Sequence, residues 1–247
     1  MMAAADETLD NLAGDWKILQ LRRGHRFSTD DLLTAWLAAR VKPDARRLLD
    51  LGAGIGSVGL MTLWSLPPDA TLTMVEVQAL SHGLARRTVE LNGLQGRVTL
   101  RNGDLRDPAM VPEARAYDLV TGSPPYIPVG RGVISSHPQR AAARIELHGD
   151  VFDYARTAAG ALGPEGWFVC CHAAADPRPE AALRAAGLAL RHRVDVHFRA
   201  DRPPTIALFA AAWSGPREDL PPVIVRDPSG APTPEYLSLC RAMGGRP

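Results

Sequence analysis

Four short stretches carry side chains whose types and spacing could do chemistry together. Asp50 precedes a glycine-rich run, Gly52-Ala-Gly54-Ile-Gly56, and Gly59 follows three residues later. Glycines let a backbone turn tightly and approach a ligand closely. The helix expected after them offers unpaired N–H groups at its start. Gly54, Gly56 and Gly59 also match a dinucleotide fingerprint, with Glu76 where a ribose-binding acid would stand. Asp50 separates the two readings. A carboxylate beside the glycines repels a pyrophosphate but suits a phosphate-free cofactor carrying positive charge, such as the amino group and sulfonium of S-adenosyl-L-methionine. Glu76 can accept ribose hydroxyls in either case. Asp104, in Asn102-Gly103-Asp104, offers a carboxylate to an adenine amino group, or else serves as a turn or cap acid. Ser123-Pro124-Pro125-Tyr126 is the fourth stretch. Its two prolines fix φ and remove two donors. Ser123 adds a short acceptor and Tyr126 a flat aromatic face. Together they could hold a planar NH2 group by its two hydrogens, with a ring stacked on Tyr126; alone they read equally well as a turn closing a strand.

The elements that must position these groups follow from periodicity. Short apolar runs at Leu48–Leu51, Thr71–Glu76, Val98–Arg101, Tyr117–Thr121 and Trp167–His172 read as strands. Helical patterns follow the glycine turn to about Trp64, then cover Leu80–Leu91, Glu146–Leu162 and Glu180–Ala186. This alternation implies a parallel sheet covered on both faces. Arg193–Arg199 and Thr205–Trp213 are joined too tightly for a crossover helix, so they should pair antiparallel. Upstream, Trp16–Leu21 reads as a strand, Arg22–Arg26 as a basic turn, and Ser28 to Asp31 as a capping box opening a helix that Pro43 ends. Glu235–Met243 reads as a final helix. The expected fold is α/β: a Rossmann-like, doubly wound, mostly parallel seven-stranded sheet with an antiparallel C-terminal strand pair. The expected organisation is a flexible stretch over 1–14 and one domain over 15–247, with a cap segment (15–45), a catalytic core (46–214) and an extension (215–247). Ligands bind such sheets outside the carboxyl ends of the strands. Asp50, Glu76, Asp104 and Ser123 all fall at or just beyond those ends.

Composition narrows the function. The 247 residues are 46% hydrophobic and carry a net charge of +1, so any nucleic acid would have to meet a local basic patch. Three cysteines, two of them adjacent, argue against a disulfide framework. No Cys/His spacing resembles a zinc site, and no metal is expected. The first residues are acidic rather than basic, unlike a signal peptide, and no apolar run reaches a membrane span. A cytoplasmic protein without membrane contact is expected.

With these residues in view, the chain resembles the class I S-adenosylmethionine-dependent methyltransferases. Asp50-Leu-Gly-Ala-Gly-Ile-Gly56 is similar to the family's first motif, Glu76 to its ribose acid and Asp104 to its adenine-binding acid. Ser123-Pro-Pro-Tyr126 resembles the motif of enzymes that methylate planar amino groups. The resemblance extends toward the bacterial valine-tRNA (adenine-N6) methyltransferases of the small-domain group. It runs through Gly24-His-Arg-Phe-Ser-Thr-Asp30, which in that family lies close to the cofactor, and through Arg140, Arg144 and Glu146-Leu-His-Gly-Asp150. It covers roughly residues 16–237. It implies S-adenosyl-L-methionine as cofactor, bound by Asp50, Gly52, Gly54, Gly56, Glu76 and Asp104. It also implies methyl transfer at Ser123, Pro124, Pro125 and Tyr126, most readily to adenine N6 in tRNA. Members of that group usually carry Asn where this chain has Ser123. Serine there resembles the cytosine-N4 methyltransferases, and Pro-Pro-Tyr-Ile-Pro resembles the glutamine-N5 methyltransferases of release factors. Those acceptors stay open, as does a binding module that keeps the cofactor site without turnover. A nicotinamide oxidoreductase fits least well.

The stretch from Ile127 to Arg144 shows no clear periodicity. Its Arg131, His137 and Arg140, with Arg144, are candidate substrate contacts, a solvated connection being the plainer alternative.

Overall fold

The computed structural model describes residues 3–131 and 137–245. The chain begins with an antiparallel hairpin, β1 (Glu7–Ala13) and β2 (Trp16–Leu21), separate from the main sheet. Residues 7–13 are therefore a strand where a flexible stretch over 1–14 is expected. Their polar sequence conceals it. Glu7 is buried because Arg87 grips its carboxylate with two bonds of 2.5 and 2.9 Å, while Leu9 faces outward. The hairpin packs on the helix that carries Arg87: Leu19 N–H donates to Thr88 Oγ1 and Lys17 N–H to Asn92 Oδ1.

The order then runs α1 (Thr29–Val41), β3 (Arg47–Leu51), α2 (Ser57–Ser65), β4 (Thr71–Glu76), α3 (Ala79–Leu91), β5 (Val98–Asn102), β6 (Tyr117–Gly122), α4 (Pro138–Ala142) and α5 (Val151–Ala161). It closes with β7 (Leu162–Ala173), α6 (Arg178–Ala185), β8 (Ala189–His197), β9 (Ile206–Ala212), β10 (Val223–Ile224) and α7 (Pro234–Ala242). The main sheet is ordered β10-β8-β9-β7-β6-β3-β4-β5. It contains the seven expected strands plus the two-residue β10. Strand β9 is antiparallel to both β7 and β8, and the other pairings are parallel.

Both faces of the sheet are covered, so its central strands are apolar on both sides. Leu48, Met74 and Leu119 enter one core, and their neighbours Leu49, Val75 and Val120 enter the other. Strand β3 lies between β4 and β6, where chain order reverses across the sheet. That is the switch point at which a crevice opens.

Two local expectations are corrected. The helix expected from Glu146 begins at Val151, because Asp150 caps it by accepting the N–H groups of Phe152 and Asp153 at 2.9 and 3.2 Å. Within 127–144, residues 138–142 form the short helix α4. The ends of that excursion are zipped together: Ile127 N–H donates to the Arg144 carbonyl at 3.1 Å, and Glu146 N–H to the Ile127 carbonyl at 3.0 Å. No described helix is long and apolar enough to cross a membrane.

Candidate functional site

Asp50 is the penultimate residue of strand β3, after which the chain turns back into α2. Gly52, Gly54 and Gly56 hold φ of +59°, +57° and +91°, a region that favours glycine. At Gly52 a side chain would also strike the Tyr154 hydroxyl. Gly59, one turn into α2, faces the strand end so closely that a Cβ there would lie 2.8 Å from Asp50 Oδ2. This approach lets the Gly59 N–H donate to Asp50 Oδ2 at 3.0 Å, while the Thr121 hydroxyl from β6 donates to Oδ1 at 2.7 Å. Asp50 is buried, and burial raises its pKa to about 6 against the opposing pull of those two donors.

Glu76, at the end of β4, is also buried, and burial raises its pKa. Its oxygens accept the Gly54 N–H at 2.8 Å and the Gln78 N–H at 2.7 Å, which ties the glycine turn to the next strand. Asp104 stands apart. Its carboxylate is forked onto Arg106, with bonds of 2.9 and 3.1 Å from Nε and 2.5 Å from Nη2, and this pairing lowers its pKa. Gly103 and Leu105 on either side line the crevice, whereas Asp104 does not.

Two adjoining cavities open at the strand ends. The first is walled by the glycine turn, Asp50, Glu76, Gln78, Pro125, His148 and Tyr154. The second is walled by Arg26, Asp30, Pro124, Tyr126, Arg140, Arg144 and Cys171. His25, Asp31, Ser123 and Ala143 border both. Of the residues expected from sequence, Asp50, Gly52, Gly54, Glu76 and Pro125 thus meet in the first cavity. Pro124, Tyr126, Arg140 and Arg144 meet in the second, and Ser123 sits between. Gly56 serves as the N-cap of α2 outside the lining, Arg131 is exposed, and His137 caps α4.

The Ser123 hydroxyl is buried and has no hydrogen-bond partner among the described residues. Such a group costs stability unless something arrives to pair with it. The carboxyl groups of Asp31, Asp50 and Glu76 are likewise buried and make no ion pair among the described residues. A cavity so lined suits a ligand with positive charge and hydroxyl donors, and it repels phosphate.

Sequence patterns missed three residues here. Gln139 of α4 is buried; its oxygen accepts the His25 N–H at 3.0 Å and its amide donates to Ser81 Oγ at 3.0 Å, pinning α4 across the rim. His172, at the end of β7, is wholly buried, and burial lowers its pKa to about 4. Its ring meets Tyr126 edge-on at 5.6 Å. Arg178 bridges Asp176 at 2.7 Å and Glu146 at 2.8 Å, and reaches the Tyr126 carbonyl at 3.5 Å. All three act over long sequence separations, which local patterns do not record.

Known proteins bear on this site. A model of the methyltransferase small domain matches residues 26–150. The tRNA1(Val) (adenine(37)-N6)-methyltransferase of Cronobacter sakazakii is 29% identical over 88% of this chain and 87% of its own length. That of Escherichia fergusonii is 27% identical over 85% and 84%. A ribosomal protein uL3 glutamine methyltransferase of Bordetella pertussis is 33% identical, but over only 42% of this chain and 38% of its own. Among solved structures, a predicted O-methyltransferase of Agrobacterium tumefaciens superposes with a TM-score of 0.65 at 23% identity, covering 88% of this chain and 98% of that one, which speaks to the fold alone. The matched segment spans the glycine turn, Glu76 and Ser123-Pro-Pro-Tyr126, and the chain belongs to the methyltransferase small domain family, whose members transfer a methyl group from S-adenosyl-L-methionine.

Proposed function

We propose that this methyltransferase modifies the exocyclic amino group of a nucleobase, with adenine N6 in a tRNA as the acceptor. The observation that carries this reading is the buried, unpartnered Ser123 hydroxyl at the junction of the two cavities. One cavity suits the cofactor. The other offers Tyr126, 37% exposed, as a stacking face, with Arg140 and Arg144 beside it for a phosphate. The relatives that match along most of the chain support an adenine acceptor.

An aromatic amino group is a poor nucleophile because its lone pair is conjugated with the ring. Ser123 Oγ and the Pro124 carbonyl accept its two N–H bonds and favour a pyramidal nitrogen whose lone pair points toward the first cavity. S-adenosyl-L-methionine, when bound there, supplies the electrophilic methyl. In the first cavity Asp50 bears on the cationic end of the cofactor and Glu76 on its ribose. Asp104 can take the adenine amino group only if Arg106 gives way. Catalysis of this kind is positioning and electrostatics. Tyr126 stacks on a base already unpaired or flipped out, a contact worth about 1–3 kcal/mol.

The test is transfer of labelled methyl to tRNA, rRNA, DNA and a release factor offered in parallel, followed by identification of the product. N6-methyladenosine in tRNA is expected. Label confined to the release factor would instead assign the glutamine reading, and N4-methylcytosine the cytosine reading that Ser123 resembles. Tyr126→Ala should lower turnover roughly tenfold to a hundredfold while leaving S-adenosyl-L-methionine affinity near wild type.

A further inference from the structure

The boundary between the two cavities is where a methyl group must cross, whatever the acceptor is. Of the four residues that border both, only one carries a carboxyl group: Asp31. The other acids are placed differently. Asp50 and Glu76 line the first cavity only, and Asp30 the second only. Asp31 is 6% exposed, in the first turn of α1. It accepts the Ser28 N–H at 2.9 Å and a hydrogen bond from the Ser57 side chain. Neither partner carries charge, and no described Arg or Lys is in ion-pair contact with it. Burial, with Asp30 and Asp50 nearby, pushes its pKa well up. The cap accounts for an acceptor at this position, because an amide oxygen would serve equally. It does not account for a buried acid with no counter-cation, which is costly unless a cation comes to it.

We infer that Asp31 faces the sulfonium and is the group by which this protein distinguishes S-adenosyl-L-methionine from S-adenosyl-L-homocysteine, its uncharged product. The two ligands differ by one methyl and one positive charge at sulfur. A carboxylate beside that sulfur favours the charged ligand, and it has no charge left to hold once the methyl has gone. Asp31 would thereby weaken the protein's hold on its product. The inference rests on methyl transfer across the Ser123 boundary and is independent of which acceptor is used.

Calorimetric titration without any acceptor tests it, so it fails or stands separately from the tRNA assignment. Asp31→Asn keeps an oxygen for the Ser28 N–H and removes the charge, with the Ser57 hydroxyl left to accept from the new amide; Asp31→Ser is a second uncharged variant should the first not fold. Thermal melting establishes that each variant is folded. Loss of the charge should weaken S-adenosyl-L-methionine about tenfold or more and S-adenosyl-L-homocysteine about twofold or less, so that the ratio of the two affinities shifts by at least roughly fivefold. Equal weakening of both ligands would make Asp31 a structural cap and overturn the inference, and so would no change in either.

Discussion

At the scale of single residues, the carboxyl groups of the first cavity are tuned by what they lack. Asp50 is buried beside two donors and in no ion pair among the described residues, and burial sets its folded pKa near 6 instead of the usual value near 4. The sign follows. A carboxyl whose pKa is raised on folding contributes stability that is present below about pH 4 and lost as pH rises through about 6. The folded protein without ligand thus prefers Asp50 protonated at pH 5. A cationic ligand prefers it ionised. S-adenosyl-L-methionine affinity should therefore rise between about pH 5 and 7, and binding near pH 6 should release protons. Titrations in two buffers of different ionisation enthalpy would read that release directly. Asp50→Asn should make the profile shallower as well as weaken binding, the remainder coming from Asp31 and Glu76, whose pKa values burial also raises. An affinity flat across this window in the wild type would mean that Asp50 does not bear on the cation.

At the scale of elements, how much was legible depended on whether the determinants are local. The glycine turn, strands β3 to β6 and the Ser123-Pro-Pro-Tyr126 corner were legible because each is a contiguous apolar run or motif whose conformation its own residues dictate. Strand β1 was not, because its burial depends on Glu7 meeting Arg87 on α3, eighty residues away. The start of α5 was misplaced because Asp150 outcompetes Glu146 as a terminus by capping two N–H groups. Asp104 was legible as a strand-end acid but not as the partner of Arg106. Gln139 was the least visible and holds the rim most directly. Removing its side chain leaves the His25 N–H and the Ser81 hydroxyl without the partner each has now, at a cost of about 1–3 kcal/mol. Gln139→Ala should therefore lower the melting temperature by several degrees and raise the acceptor KM, since α4 carries Arg140. A melting temperature unchanged in the alanine variant would mean the pin is dispensable.

At the scale of the whole molecule, charge and architecture divide the work. Net charge is +1, so no global field draws an RNA to this protein, and attraction has to come from local groups. The architecture places Arg140 and Arg144 at the second cavity, beyond the acids of the first, while Arg26 beside them is already paired with Asp10 at 3.0 Å. Many other arginines are already committed: Arg87 to Glu7, Arg101 to Glu113, Arg178 to Asp176 and Glu146, Arg217 to Asp219 and Glu180. Under the tRNA reading, Arg140 and Arg144 are the charges that the second cavity itself offers to phosphates. Replacing Arg140 and Arg144 together with Ala should remove two phosphate contacts. The slope of log affinity against log salt should then fall by roughly 1.5 to 2, while S-adenosyl-L-methionine affinity, set in the other cavity, stays within about twofold of wild type. Filter binding of tRNA across a salt series measures the slope. A double variant with an unchanged slope would place the RNA on another face of the protein and leave the second cavity to an uncharged acceptor such as a glutamine side chain.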